Sequence, residues 1–416
     1  MTVIAYLAPE IPARSATFVY REAEAMMRAG CRVLYFAVRA PDDPAPGMAQ
    51  LTAQVRILYA RSRTGRLAAA LDAVGLVLRH SLARGRRRTI GLALRALCED
   101  LGSLPGGLLA RLKLLHQWLA AARLADALRR QGADHLHVHF SHVPGTIGMY
   151  ASLLSGVPYT IVAHANDVHV QGSLLRQKAQ RSKAMVAISR AMRDELQRRG
   201  VAAERIRVIR CAPAPAFGAH AEGAGAAAAA PTRWVVGGLG RLVAKKGFAD
   251  LLAAAAELRA AGVNLELRIA GNGPEGERLR ARAAALGLQA QVRFDGALAP
   301  AEVPAWMAAL DCFVLPCTLA GDGDMDGIPV VLMEAMASGV PVVSTALSGI
   351  PELVIEGQTG LLARPGDTHA IAGAMRRLHD DVALRKALVA GALKHLQQEF
   401  DPDLNASRLL AVITAP

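Results

Sequence analysis

Short runs of β-branched and aliphatic residues alternate with longer stretches whose apolar positions recur every three or four residues, almost from end to end. That rhythm predicts parallel sheets covered by helices. In the first half the strand-like runs are 2–7, 31–37, 135–140, 158–163, 184–188 and 206–209. In the second half they are 234–238, 265–270, 291–294, 312–315 and 341–345. Helix-period stretches lie between them, at 247–261, 275–286, 301–309, 329–338 and 368–379. The expected class is α/β. Between the halves, GAHAEGAGAAAAAPT (218–232) is poor in large apolar residues and reads as a linker. It separates a domain at 1–213 from one at 232–395, with 396–416 as a tail.

Residues 51–130 break the rhythm. They show leucine at helical spacing, as in LLARLKLLHQWLAAARLADALRR, and hold 15 Lys and Arg against four acidic residues. This predicts a helical insertion with a basic, amphipathic face that suits a membrane surface.

At 416 residues and 52% hydrophobic content, the chain can build sizeable cores, which excludes a disordered chain or a disulfide-stapled module. The net charge of +13 is uneven: residues 1–210 hold 31 Lys and Arg against 14 acids, and residues 211–416 hold 17 against 21. The two halves are expected to meet different partners. Cys31, Cys98, Cys211, Cys312 and Cys317 are odd in number, scattered and form no CxxC, the pattern of a reduced, cytoplasmic chain. MTVIAYLAPE lacks a basic leader, and no run of about 18 apolar residues is free of charge, so neither a signal peptide nor a spanning helix is expected.

Three motifs tempt and fail. GNGPEG (271–276) fits the dinucleotide pattern but follows the second strand of its domain, and Pro274 and Glu275 occupy the pyrophosphate position. Gly271 then serves a tight turn or lets backbone approach another ligand. DGDMDG (322–327) opens like a calcium loop, but loop position 12 is Met333. HLHVHF sets His135, His137 and His139 on one strand face, where zinc would still need a further ligand. No metal site is expected.

A different set survives at the carboxyl ends of strands in the second half, where α/β sheets bind ligands. GGLGRLVAKKGF (237–248) places Gly240 and its neighbours in a turn, followed by Arg241 and Lys246. Glycine lets backbone approach an anion, and the two cations supply charge. LSGIPE (347–352) would offer the amides of 349–352, around Gly349, Ile350 and Pro351, at a helix N-terminus. Asp326 and Glu334 lie eight residues apart across DGIPVVLME, with Pro329 opening the helix. Diphosphate clamps beside diol-binding carboxylates describe a nucleotide-sugar site.

GRLVAKKGF, IAGNGP, VRFDGAL, DGIPVVLMEAMASGVPVVST and SGIPELVIEGQTGLL follow one another as in the donor domain of glycosyltransferase family 4, and the second half resembles it. ARSATFVYREAEAM, HVHFSHVPG, IVAHANDV and AISRAMRDEL extend the resemblance through the first half, toward the branch that builds exopolysaccharides such as colanic acid. The resemblance implies GT-B architecture, with two Rossmann-like domains facing across a cleft, the first for acceptor and the second for donor. It implies a retaining transfer; Asp322 and Asp324 could suggest a metal, but the Arg/Lys clamp can neutralise the leaving diphosphate without one, so no metal or other cofactor is expected. It further implies that Arg241 and Lys246 contact the donor diphosphate, Glu334 the ribose, Asp326 the transferred sugar, and that His164 stands near that sugar. The tail would return to the first domain. Three positions depart from the family pattern: Asp326 stands for Glu, Cys317 for Ser, and Ala212-Pro213-Ala214 for Gly-Val-Asp.

The implied partners are a nucleotide-sugar donor, a lipid-linked or oligosaccharide acceptor and the anionic inner face of the membrane. Nucleic acid is not among them, since no aromatic-interleaved basic platform occurs. Two rival readings are a catalytically degenerate peripheral-membrane partner and a nucleotide-sugar epimerase of the same fold.

Overall fold

The computed structural model describes residues 1–13, 16–42, 48–59, 62–82, 87–170, 172–213 and 233–415. The proposed linker at 218–232 lies outside them. The chain forms two compact units, each built on its own parallel sheet.

In the first unit the strands are β1 (Val3–Ala8), β2 (Arg32–Ala37), β3 (Arg56–Ile57), β4 (His135–His139), β5 (Tyr159–Ala163), β6 (Ala184–Ala187) and β7 (Ile206–Val208). Their order is β3-β2-β1-β4-β5-β6-β7, and every pair is parallel. Every residue of β4 and β5 is buried, as expected of strands covered on both faces. The order reverses between β1 and β4, so this unit has its switch point at the carboxyl ends of those two strands.

The insertion is helical, through Arg63–Leu82, Arg87–Ser103 and Leu108–Arg130. Trp118, Leu124 and Leu128 of the last helix are buried against the first unit's core. Asp100, itself buried, accepts from Arg181 at 2.5 Å and from the Tyr150 hydroxyl at 2.5 Å, which ties the insertion to the sheet's helices. The opposite side stays open: Leu108, Leu109 and Leu112 are 73%, 67% and 51% exposed, beside exposed Arg111 and Lys113.

The second unit contains β8 (Trp234–Leu239), β9 (Leu265–Ala270), β10 (Val292–Gly296), β11 (Cys312–Leu315), β12 (Val342–Thr345) and β13 (Leu361–Ala363). Their order is β10-β9-β8-β11-β12-β13, again parallel, with the switch point between β8 and β11. Trp234, Phe313 and Leu332 lie in its core, fully buried.

Both expected boundaries move. Apart from Ser189–Ala191, the second unit begins at Arg210, because Arg210 pairs with Glu352 at 2.9 Å and Glu399 at 3.1 Å and lies over Phe400. It runs on to Pro402, because the helix Val382–Glu399 buries Leu388, Ala392 and Leu396 in the second core. Asp403–Pro416 belongs to the first unit, where Asp403 accepts from Arg28 at 2.6 Å and the Ile413 carbonyl accepts from Lys183 at 2.9 Å.

Candidate functional site

In the second unit the chain leaves β8 at Leu239 and passes through Gly240 and Arg241 before a single 3-10 turn, Ala244–Lys246. Gly247 ends that turn at φ +70°, and a Cβ there would stand 1.8 Å from the Pro316 carbonyl oxygen. Glycine is thus what allows the lysine turn to press against the segment leaving β11. Gly271 serves the same end from β9: at φ +128°, a Cβ would lie 1.9 Å from the Gly240 carbonyl. Its job is close backbone packing of the β8 loop. A Cβ on Gly240 itself would make only ordinary contact with the Lys246 side chain, so packing does not demand glycine there.

This scaffold gathers charge. Lys246 Nζ lies 2.8 Å from Asp326 Oδ2, and Lys245 Nζ lies 2.9 Å from Asp324 and 3.4 Å from Asp326 Oδ1. All four side chains are 14% exposed. Cys317, just past β11, donates its thiol to Asp326 Oδ2 at 3.5 Å. Burial would raise the Asp326 carboxyl, but Lys246 and Lys245 outweigh it and hold the group below the usual carboxylate range. Burial would likewise lower Lys246, and the Asp326 carboxylate reverses this, leaving the ammonium above its ordinary value. Burial first, and the Asp326 charge second, push the Cys317 thiol well up, so it stays a neutral donor. Arg241 is exposed at the rim. Glu334 is half-buried on the helix Val330–Ala337, which begins after the extended Pro329.

One residue joins the expected set, and one expectation needs correction. Asp326 is paired with Lys246 and Lys245, and Lys245, passed over in the sequence, is part of the cluster. The segment after β12 is one 3-10 turn, Ile350–Glu352, and not the start of a helix. The Ile350 N–H is already donated to the Leu347 carbonyl at 3.0 Å, Ile350 is fully buried, and Pro351 has no N–H to give. An amide cradle at Ile350 and Pro351 therefore does not form.

In the first unit, His164 follows β5 and caps the short helix Ala165–His169. Its ring accepts the Asp167 N–H, while the Asp167 carboxylate accepts the His164 N–H at 2.8 Å. Burial pushes the Asp167 carboxyl up to about 6 and pulls His164 well below the ordinary imidazole range, so His164 is neutral. Nε2 has no partner among the described residues, so Nδ1 is the acceptor and Nε2 carries the proton. Phe18 and Phe140 flank the ring, with centroids at 4.8 and 4.4 Å. His164 is thus a fixed, neutral hydrogen-bond donor.

Two Rossmann-like units, with cations and carboxylates gathered at the switch point of the second, define the GT-B class of glycosyltransferases. Solved structures similar along the whole chain agree. HepE of Anabaena, solved with UDP and glucose, gives a TM-score of 0.68 at 18% identity over 100% of both chains. Sucrose-phosphate synthase of Thermosynechococcus elongatus gives 0.69 at 19% identity, over 99% of this chain and 98% of its own.

Residues 225–395 match the family described as glycosyl transferases group 1, and residues 87–212 match Glycosyltransferase Family 4. AmsK of Erwinia amylovora, an amylovoran biosynthesis glycosyltransferase, is 33% identical over 290 residues, covering 68% of this chain and 70% of AmsK. WcaL of Escherichia coli strain K12, named for colanic acid biosynthesis, is 40% identical over 165 residues, and the match spans 40% of each chain. The protein belongs to this glycosyltransferase family.

Proposed function

We propose that the protein transfers a hexose, with retention, from a nucleotide-sugar to a lipid-linked saccharide during exopolysaccharide synthesis at the inner face of the cytoplasmic membrane. The observation that carries this reading is the cluster of Lys245, Lys246 and Asp326 beside Arg241 at the β8/β11 switch point, on the glycine-packed loop. As the glycosidic bond breaks, charge builds on the leaving phosphate oxygen. Arg241 and Lys246 are the groups that meet it there, and Lys246 is already fixed in place by Asp326. Asp326 balances the lysines until a diphosphate competes for them. Glu334 is assigned the ribose hydroxyls and His164 a sugar oxygen, to which its Nε2–H donates. With no enzymatic nucleophile assigned, the acceptor hydroxyl attacks on the face that the diphosphate leaves.

Relatives named for amylovoran and colanic acid synthesis support the polysaccharide context. The exposed leucines and basic residues of the helix Leu108–Arg130 support the membrane surface. The test is a thermal-shift panel of UDP-, GDP-, ADP- and dTDP-sugars. A donor present at 100 times its dissociation constant stabilises by about 2.7 kcal/mol. One base family should stand out, and it should transfer its sugar in a radiometric assay with membrane lipid extract. No shift with any of the four would defeat the reading.

A further inference from the structure

Apart from the transfer cluster, the first unit holds a second set of side chains able to bind an ion. Alternation puts His137 and His139 on one face of β4, and the helix Thr17–Arg28 brings Glu22 against them. Glu22 Oε1 lies 3.0 Å from His137 Nε2 and 3.2 Å from His139 Nε2. Among the described residues, these three offer ligand atoms all within 4.8 Å of one another. Both imidazoles are at most 1% exposed.

Glu22 Oε1 accepts from the Tyr6 hydroxyl at 3.0 Å and meets His139 Nε2 at 3.2 Å, yet hydrogen bonding leaves one atom of the set without a partner. His137 Nε2 is buried and makes no hydrogen bond although Oε1 is 3.0 Å away, so it does not point along that line. Water cannot reach it. A cation shared by the three atoms needs no water-sized space and supplies the missing partner. Zinc bonds of about 2.0–2.1 Å to imidazole place neighbouring tetrahedral ligands about 3.3 Å apart, close to the spacing seen here. His137 Nδ1 is held by the buried Thr160 hydroxyl at 2.7 Å, the outer contact that orients a ligating imidazole. The third histidine of HLHVHF does not join: His135 Nε2 turns to the same hydroxyl at 3.0 Å. The ligand that the strand alone could not supply is Glu22.

We propose that Glu22, His137 and His139 bind one zinc-class divalent ion. Two imidazoles and a carboxylate suit zinc or a first-row transition metal, while calcium and magnesium need a larger set of oxygens. The ion would pin the helix carrying Phe18 to β4, and Phe18 and His139 both pack on the His164 ring. Its role would be to hold that wall.

The test is metal content of the purified full chain by plasma mass spectrometry, followed by cobalt loading of the chelator-stripped protein. The expected result is one tightly held ion per chain and the visible bands of cobalt held in a low-coordinate site, with the second Glu22 oxygen as the available fourth donor. His139→Gln and Glu22→Gln should each lose the ion, and Thr160→Val should weaken it by about 10–100-fold. His369→Gln, in an exposed His–Glu pair, should keep it. Should the ligand variants fail to fold, the wild-type content and cobalt spectrum decide the matter. Wild-type protein that is folded, metal-free and silent with cobalt would overturn the site, as would equal loss in the His369 control.

Discussion

The Lys246 ammonium sits 2.8 Å from the Asp326 carboxylate, so the cation assigned to the donor diphosphate is already paired within its own unit. Donor binding must then compete with that carboxylate. Removing it should have two opposite effects. Asp326→Asn leaves Lys245 and Lys246 without their shared anion, which should cost about 3 kcal/mol, the low end for breaking a buried pair since all four groups are slightly exposed. Urea unfolding at neutral pH measures this. The same variant should bind free nucleotide diphosphate more tightly while transferring sugar more slowly. Weaker diphosphate binding would show that Asp326 does not compete for the lysines.

The pH dependence of that cost has a fixed sign. The Asp326 carboxyl is held low in the folded state, so its contribution is present above the ordinary carboxylate value of about 3.9 and lost as pH falls through the lower folded value. Lys246 is held high, so its share persists below about 10.4 and fades only beyond its raised folded value. The stability gap between wild type and Asp326→Asn should therefore stay flat from pH 5 to 9 and close on the acid side. A gap unchanged at pH 3 would mean that the pair does not set it.

Arg241 and Lys246 should separate cleanly. Each substitution to Ala should weaken donor use by about 1.5–3 kcal/mol, the worth of a hydrogen bond to a charged group. Arg241 is exposed and has no described hydrogen-bond or ion-pair partner, so Arg241→Ala should leave the melting temperature alone, while Lys246→Ala should lower it. Glu334→Gln should mainly raise the nucleotide dissociation constant, because a ribose contact is made in ground and transition states alike. Isothermal titration with the nucleotide settles that assignment, and an unchanged constant would remove Glu334 from it.

Much of this was legible in the chain, and the gaps have physical causes. Runs such as HLHVHF and PYTIVA announce buried parallel strands because both faces are covered, and every expected strand is present. β3 and β13 escaped because two and three residues show no period. Arg241 and Lys246 could be picked out by their place after a glycine turn. Lys245 could not, since neighbours on a single 3-10 turn give no signal of which side chain faces the carboxylates. Glu22 lies far from His137 and His139 in the chain, and only the packing of its helix on β4 joins them. The turn at Ile350 misled because Pro351 suits a helix start, yet nothing local says whether the helix continues.

The donor chemistry should not depend on loosely held magnesium or manganese. The position where a divalent ion would meet Asp324 is occupied by the Lys245 ammonium at 2.9 Å. Gel-filtered enzyme should therefore show the same rate with and without either salt. An ion held by Glu22 and the two histidines would survive gel filtration, so the two questions stay separate. A rate that needs millimolar magnesium or manganese would return Asp322 and Asp324 to candidacy as ligands.

Membrane association should weaken with salt and depend on apolar contact as well as charge. No helix among the described residues is long and apolar enough to cross a bilayer. Leu108, Leu112 and Leu115, at i, i+4 and i+7, instead form an exposed stripe on one helix, with Leu109, Arg111 and Lys113 beside it. Of the arginine cluster at 84–88, Arg84 and Arg86 lie outside the described residues, and Arg88 is exposed. Each basic residue near an anionic leaflet contributes about 1 kcal/mol, and the attraction is screened over about 8 Å at physiological ionic strength. Co-sedimentation with anionic vesicles should thus be strong at low salt and weak at high salt, and weak throughout with neutral vesicles. Leu108→Ser with Leu112→Ser should reduce binding at both salt levels, because it removes the part that screening does not touch. Binding that ignores lipid charge, or a leucine variant indistinguishable from wild type, would make this face an ordinary solvated one.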